Sequence, residues 1–152
     1  MTEIRIAKIV AAVIIICTVK MAFGADKITE LFMKYNPKQA AEITEIVYDA
    51  GKKYGVDPNV IAAIIVRESG VRPRVISKGG DYGLMRVRWK VHRDKVRNAA
   101  ELLNPRTNIY VGTRIFAEYY RRQKSLRGAL LRYSGGNKTL ADRVLRTLKN
   151  DL

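Results

Sequence analysis

"VDPNVIAAIIVRESG", residues 56–70, decides how this chain folds. Asp57 belongs to the residue types that cap helix N-termini by accepting a backbone N–H, and Pro58 suits the first helical position, where no N–H needs a partner. From Val60 to Val66 the stretch is wholly apolar. A helix apolar nearly all round must be enclosed by others, so the pattern predicts the central helix of a helical domain. It ends on Arg67-Glu68-Ser69-Gly70, and Glu68 follows Ile64 by four residues and Ile61 by seven, on the stripe those isoleucines bury. One carboxylate therefore leaves a buried helix in its last turn. The apolar neighbours and the partially negative helix end both disfavour its ionised form. A carboxyl group that keeps its proton near neutral pH is what an acid catalyst requires. A surface glutamate paired with Arg67, Arg72 or Arg74 fits the same periodicity, so spacing alone leaves both readings open.

Working outward, "NPKQAAEITEIVYDAGKKYG" (36–55) repeats the helix grammar: Asn36 as cap, Pro37 in the first turn, Ala40, Ile43, Ile46, Val47, Ala50 and Tyr54 on one stripe, and Gly55 as the stop. Before it, "ADKITELFMKYN" (25–36) is a short amphipathic stretch whose structure the pattern does not decide. After Glu68, Gly70, Pro73, Gly79, Gly80 and Gly83 break any helix and predict an ordered loop or small β-hairpin region, followed by a short helical segment over 85–95. "NPRTNIYVGTRIFAEYYRRQ" (104–123) uses the Asn-Pro start again, with Ile109, Gly112, Ile115, Phe116 and Tyr119 on one face. "SLRGALLRYSGG" (125–136) and "TLADRVLRTLKN" (139–150), the latter capped by Thr139, supply two more helices. The expected fold class is mainly α, with one irregular loop or small β-hairpin region.

A length of 152 residues bounds the chain to one domain with a modest core. Residues 1–24 carry a basic start (Arg5, Lys8), an apolar run from Ile9 to Val19 and small residues at Ala22 and Gly24, the layout of a cleaved secretory signal peptide. The run is short against the roughly 20 residues of a membrane span, which makes an uncleaved N-terminal anchor the alternative. Residues 25–152 then form the working domain, exported to the periplasm or cell envelope. The single cysteine, Cys17, lies in the leader, so the remainder forms no internal disulfide.

With 29 Lys+Arg against 14 Asp+Glu the formal charge is +15, and +13 without the leader. Such an excess points to a polyanionic neighbourhood, an anionic wall polymer or membrane surface, or else to a solvated surface that aids solubility. Export and the absence of an evident aromatic stacking platform argue against nucleic acid. His92 stands alone without cysteine partners, so no metal centre and no cofactor are expected.

Four separated motifs settle what periodicity leaves open. "RESG" with Ser77, "GGDYGLMRV", "NPRTNIYVGTRIFAEYY" and "ALLRYSGG" together resemble the lysozyme-like domain of family-one lytic transglycosylases, the soluble-lytic-transglycosylase fold, also similar in shape to goose-type lysozymes. The likeness runs from about Tyr54 to about Leu145. It implies that Glu68 is the catalytic acid/base and that Ser77 is the loop serine beside the substrate. It also implies that Gly83, Leu84 and Met85 form a turn lining the glycan groove, with Asn108 and Ile109 supporting the site. Tyr133 would hold its hydroxyl near the catalytic carboxylate. The chain departs from the family pattern at Arg86, where a glutamine is usual, at Ser134, where an asparagine is usual, and near Ala141, where a later aromatic is missing.

The implied reaction is cleavage of the β-1,4 bond between N-acetylmuramic acid and N-acetylglucosamine in peptidoglycan, closing a 1,6-anhydro ring with one carboxyl group and no water. The rival reactions are hydrolysis, with Asp81 as a second carboxylate, and catalytically weak glycan binding in an assembly protein. The chain is expected to act as a monomer on peptidoglycan strands.

Overall fold

The computed structural model describes residues 26–152, so the leader reading for residues 1–24 lies outside the described residues. Seven α-helices are found among them: α1 Lys27–Met33, α2 Ala40–Tyr54, α3 Pro58–Ser69, α4 Trp89–His92, α5 Pro105–Gln123, α6 Leu126–Tyr133 and α7 Lys138–Asn150. A two-stranded antiparallel sheet, β1 Asp81–Tyr82 and β2 Val87–Arg88, pairs Asp81 with Arg88 and Tyr82 with Val87. The mainly α fold with a small hairpin, expected from the sequence, is the fold found.

Helix α3 begins as its sequence dictates: Asp57 accepts from the Asn59 N–H at 2.8 Å, and Pro58 occupies the first position. Every residue from Val60 to Val66 is buried. Each fully enclosed Ile or Val is worth roughly 1.5–3 kcal/mol over its exposed state, which makes this helix the organiser of the core. Around it pack α1, α2 and α7. Helix α2 brings Ile43, Ile46, Val47 and Ala50, and α7 brings Ala141 and Val144. Helix α5, with Ile109, Ile115 and Phe116 buried, packs on α2 and α6 and carries the hairpin.

Several helix starts differ from expectation. Asn36 does not cap α2, which begins at Ala40 after Gln39; its side-chain amide instead donates to the Val71 carbonyl at 3.0 Å. This bond ties the α1–α2 corner to the loop after α3. Val71 is fully buried with φ 56°, a region a β-branched residue rarely enters, and the Asn36 bond helps hold it there. The undecided stretch 25–36 contains α1, capped by Asp26. The cap of α7 is Asn137, accepting from Leu140 N–H at 3.0 Å, and not Thr139. The segment expected to be helical over 85–95 begins instead with Met85 and Arg86 in the hairpin turn and Val87–Arg88 in β2. Only Trp89–His92 is α-helical, and 93–95 forms a 3-10 turn. No helix among the described residues is long and apolar enough to cross a membrane.

Candidate active site

Helix α3 stops at Gly70, whose φ of 59° supplies the left-handed residue that closes the helix two positions after Glu68. Two of the three arginines that could have neutralised Glu68 are occupied elsewhere. Arg67 Nε donates to Thr147 Oγ1 of α7 at 2.6 Å, and Arg72 Nε donates to the Ser69 carbonyl at 2.8 Å. No ion pair among the described residues involves Glu68. On its inner side the carboxyl borders Ile64, Leu140, Ala141 and Val144. Burial raises its pKa from 4.5 to about 7, against the lowering charge of Arg86 and with the help of Asp81. The surface-pair reading of Glu68 is thereby set aside.

Glu68 opens into a groove of about 430 Å³. One wall is the hairpin, with Asp81, Arg86 and Arg88; the other is α6 and the turn after it, with Arg132, Tyr133 and Ser134. Asp81 is the chemical opposite of Glu68. Burial favours its neutral form, but hydrogen bonds from Arg88 and Ser77 and the charges of Arg88 and Arg86 outweigh this, so its pKa is lowered. Arg88 Nε donates to Asp81 Oδ1 and Ser77 Oγ donates to Asp81 Oδ2, both at 2.7 Å. Two carboxyl groups on one groove, one holding its proton and one ionised, divide the roles of acid and anion between them.

The hairpin turn is set by packing beneath the groove. Gly83 has φ 72°, and a Cβ there would lie 2.3 Å from both Asn108 Nδ2 and the Leu102 carbonyl oxygen. Only glycine allows that approach. Asn108, fully buried in the first turns of α5, donates to the Tyr82 and Leu102 carbonyls at 2.7 and 2.8 Å and accepts from Met85 N–H at 2.8 Å. Tyr133 Oη donates to the Met85 carbonyl at 2.8 Å, so the far wall grips the same turn. Gly112 makes room for this: a Cβ there would meet Met85 Sδ at 2.6 Å and Tyr133 Oη at 3.1 Å. Tyr133 is also held edge-on to Phe116 and Tyr119, with centroids 5.9 and 6.5 Å away. Burial, together with the charge of Glu68, raises its pKa well above 10, so its hydroxyl stays a donor.

These positions correct part of the expected lining. Leu84 and Met85 are fully buried and Gly83 is buried, so they form the floor that positions the groove rather than its surface. Ser77 is not on the groove lining; its hydroxyl is committed to Asp81, which returns a backbone N–H to it at 3.0 Å. Ile109 is fully buried beside Asn108, in keeping with support from below. Arg86, Asp81, Tyr133 and Glu68 do converge. Sequence reading missed Arg132, Tyr119 and His92 as groove residues. Arg132 is the neighbour of Tyr133, and that adjacency was the available signal. The His92 pKa is lowered by burial and by the nearby Lys95 charge. Among the described residues, no three His, Cys, Asp or Glu side chains come together as metal ligands would.

Arg86 is anomalous. It holds a φ of 54°, a conformation that costs a non-glycine residue about 1–2 kcal/mol. Its Nε is buried without a hydrogen-bond partner, and its Nη2 stands 4.0 Å from Asp81 Oδ2, beyond hydrogen-bond reach.

A proton-holding carboxyl at the end of a buried helix, faced by a hairpin gripped from α5 and α6, is matched along the chain as well as in space. The family model of the Transglycosylase SLT domain matches residues 45–151. The chain belongs to that family. This SLT domain is 40% identical over 85 residues to the endo-type membrane-bound lytic murein transglycosylase A of Citrobacter koseri, covering 50% of this chain and 42% of that protein. It is 40% identical over 84 residues to the protein of the same name in Klebsiella pneumoniae, covering 49% and 41%. For the Cronobacter sakazakii protein the identity is 34% over 85 residues, covering 50% and 42%. The chain thus spans less than half the length of the curated relatives it matches. The SLT domain's fold is the mainly α, lysozyme-like one.

Proposed function

We propose that this chain is a peptidoglycan lytic transglycosylase, cleaving the β-1,4 bond between N-acetylmuramic acid and N-acetylglucosamine and leaving a 1,6-anhydromuramic end. The observation that carries the reading is Glu68, unpaired at the end of α3 and with its pKa raised to about 7 by burial. Glu68 gives its proton to the glycosidic oxygen as the bond to C1 breaks, and the positive charge left on the sugar is met by the muramoyl N-acetyl group. Glu68, now a carboxylate, takes the proton of the C6 hydroxyl as O6 bonds to C1. Its own proton is restored, and no water is consumed. A pKa near neutrality serves both halves, because the group must give and then regain a proton. Tyr133, through Met85, holds the turn that carries Arg86 across from the acid.

Hydrolysis would need a second carboxylate free to bind water. Asp81 has one oxygen engaged by Arg88 and the other by Ser77, which favours ring closure over water attack. Mass spectrometry of digested sacculi separates the two: anhydromuramic ends are expected, and reducing muramic ends in their place overturn the proposal. A binding-only protein is tested by Glu68→Gln, which is expected to abolish turnover; an unchanged rate removes the enzymatic reading.

Export to the periplasm or envelope, by a cleaved signal peptide or an uncleaved anchor at residues 1–24, completes the proposal. The relatives' name, membrane-bound and acting on murein, supports that location. The cationic surface would hold the domain near an anionic wall polymer or membrane, and sacculus binding is expected to weaken with added salt.

A further inference from the structure

The geometry points to a carboxylate-binding subsite in the groove, formed by Arg86 and Arg132, that reads an acidic group on the muramoyl unit of the strand. This rests on the glycan-cleaving reading above and deepens it by naming which form of the strand is preferred.

Of the groove's charged side chains, Arg88 and Asp81 are joined to each other at 2.7 Å and neutralise one another. What remains is Arg86, whose one ion pair reaches the already engaged Asp81 at 4.0 Å without a hydrogen bond, and Arg132, which pairs with no carboxylate among the described residues. Arg132 lies 5.7 Å over the Tyr119 ring, which orients its guanidinium face and leaves its N–H groups without a hydrogen-bond acceptor among the described residues. Arg86 keeps a buried Nε–H with no partner on a backbone held at φ 54°. Buried donors are nearly always satisfied, so this orphan marks Arg86 as a guanidinium on the groove wall whose donors are not spent within the protein. The Tyr133–Met85 bond fixes the relation between the two arginines, since each is the chain neighbour of one bonded residue. A planar guanidinium matches a carboxylate better than a neutral hydroxyl or amide.

Along a peptidoglycan strand the sugar rings themselves are uncharged, and the acidic groups hang from the muramoyl lactyl ether. Where the peptide has been removed, the lactyl carboxylate is free. Where it remains, the carboxylates belong to the peptide. Both sources offer the same chemistry to the two arginines.

The test uses the full chain on four preparations: strands stripped of peptide with free lactyl carboxylates, the same strands converted to methylamides, peptide-bearing strands with their carboxylates free, and peptide-bearing strands with their carboxylates amidated. Anhydromuramic ends give kcat/KM, and Glu68→Gln protein gives a dissociation constant independent of turnover. Amidation is expected to lower both affinity and kcat/KM about tenfold or more, as loss of a charge-assisted hydrogen bond does. Arg86→Gln and Arg132→Gln are expected to shrink that gap, chiefly through KM. A gap on stripped strands identifies the lactyl group, and a gap confined to peptide-bearing strands identifies the peptide; either supports the subsite. Equal binding of free and amidated strands of both kinds overturns it, whatever the variants do. Absence of anhydromuramic ends from every strand defeats the earlier reading alone, because the dissociation constants still judge the subsite.

Discussion

Replacing Glu68 by glutamine removes a carboxyl whose burial is offset by no ion pair among the described residues, and the effect on stability follows from its pKa. The folded protein holds this proton with a pKa of about 7 against 4.5 for the free side chain. A raised value means that the native state binds the proton more tightly than the unfolded chain. The associated stability is complete below pH 4.5, is lost as pH rises through 7, and is absent above it. At 1.36 kcal/mol per pKa unit the loss amounts to about 3 kcal/mol. Glutamine is nearly isosteric, never ionises, and should be free of that loss. Urea unfolding of both proteins from pH 4 to 9, followed by the fluorescence of the single tryptophan, Trp89, measures the difference directly. Near pH 4 the two should be close; above pH 7 the glutamine variant should be more stable by about 3 kcal/mol. A difference that stays flat across this range would refute the reasoning, because it would mean that Glu68 ionises as freely in the folded protein as in the unfolded one.

Removing the opposing charge with Arg86→Gln should raise the Glu68 pKa further and move the alkaline limb of the rate profile to higher pH, measured as kcat from pH 5 to 9. Asn108→Ala strands the Met85 N–H and the Tyr82 and Leu102 carbonyls and should cost about 3 kcal/mol, read as a lower urea midpoint. Gly83→Ala, with its Cβ driven into Asn108 and Leu102, should cost roughly 3 kcal/mol and reduce turnover along with stability. Tyr133→Phe leaves the Met85 carbonyl without its donor and should lose about 1–2 kcal/mol in the same unfolding assay.

The parts of the fold that could be read in the chain are those where one residue answers for itself. Asp57-Pro58 and Asn104-Pro105 start helices because cap and first-turn chemistry are local, and both did so. Asn36-Pro37 has the same letters but no cap, since the Asn36 amide is claimed by Val71, which is distant in sequence. A local rule cannot register that competitor. Glu68 was legible from its stripe, and its isolation was not, because it depends on Arg67 turning to Thr147 and Arg72 turning to Ser69. The Gly-Leu-Met turn was recognised as part of the site but misplaced on its surface. Its exposure is decided by Gly83 and Gly112, the two places where other chain segments press closest. Arg132 had a sequence signal in its adjacency to Tyr133, but its place on the groove wall is decided by how α6 stands opposite the hairpin.

The docking of α7 on α3 has a consequence in time. Leu140, Ala141 and Val144 of α7 contribute to the burial that raises the Glu68 pKa, and the Arg67–Thr147 bond holds the same helix in place. These residues follow Glu68 late in the chain, and α7 is the last helix described. Until that helix has been made and has settled, Glu68 lacks part of the burial that lifts its pKa, and its proton is held less tightly. On the proposed glycan-cleaving reading, the acid therefore reaches its working state only when a segment about seventy residues further along the chain has packed against it.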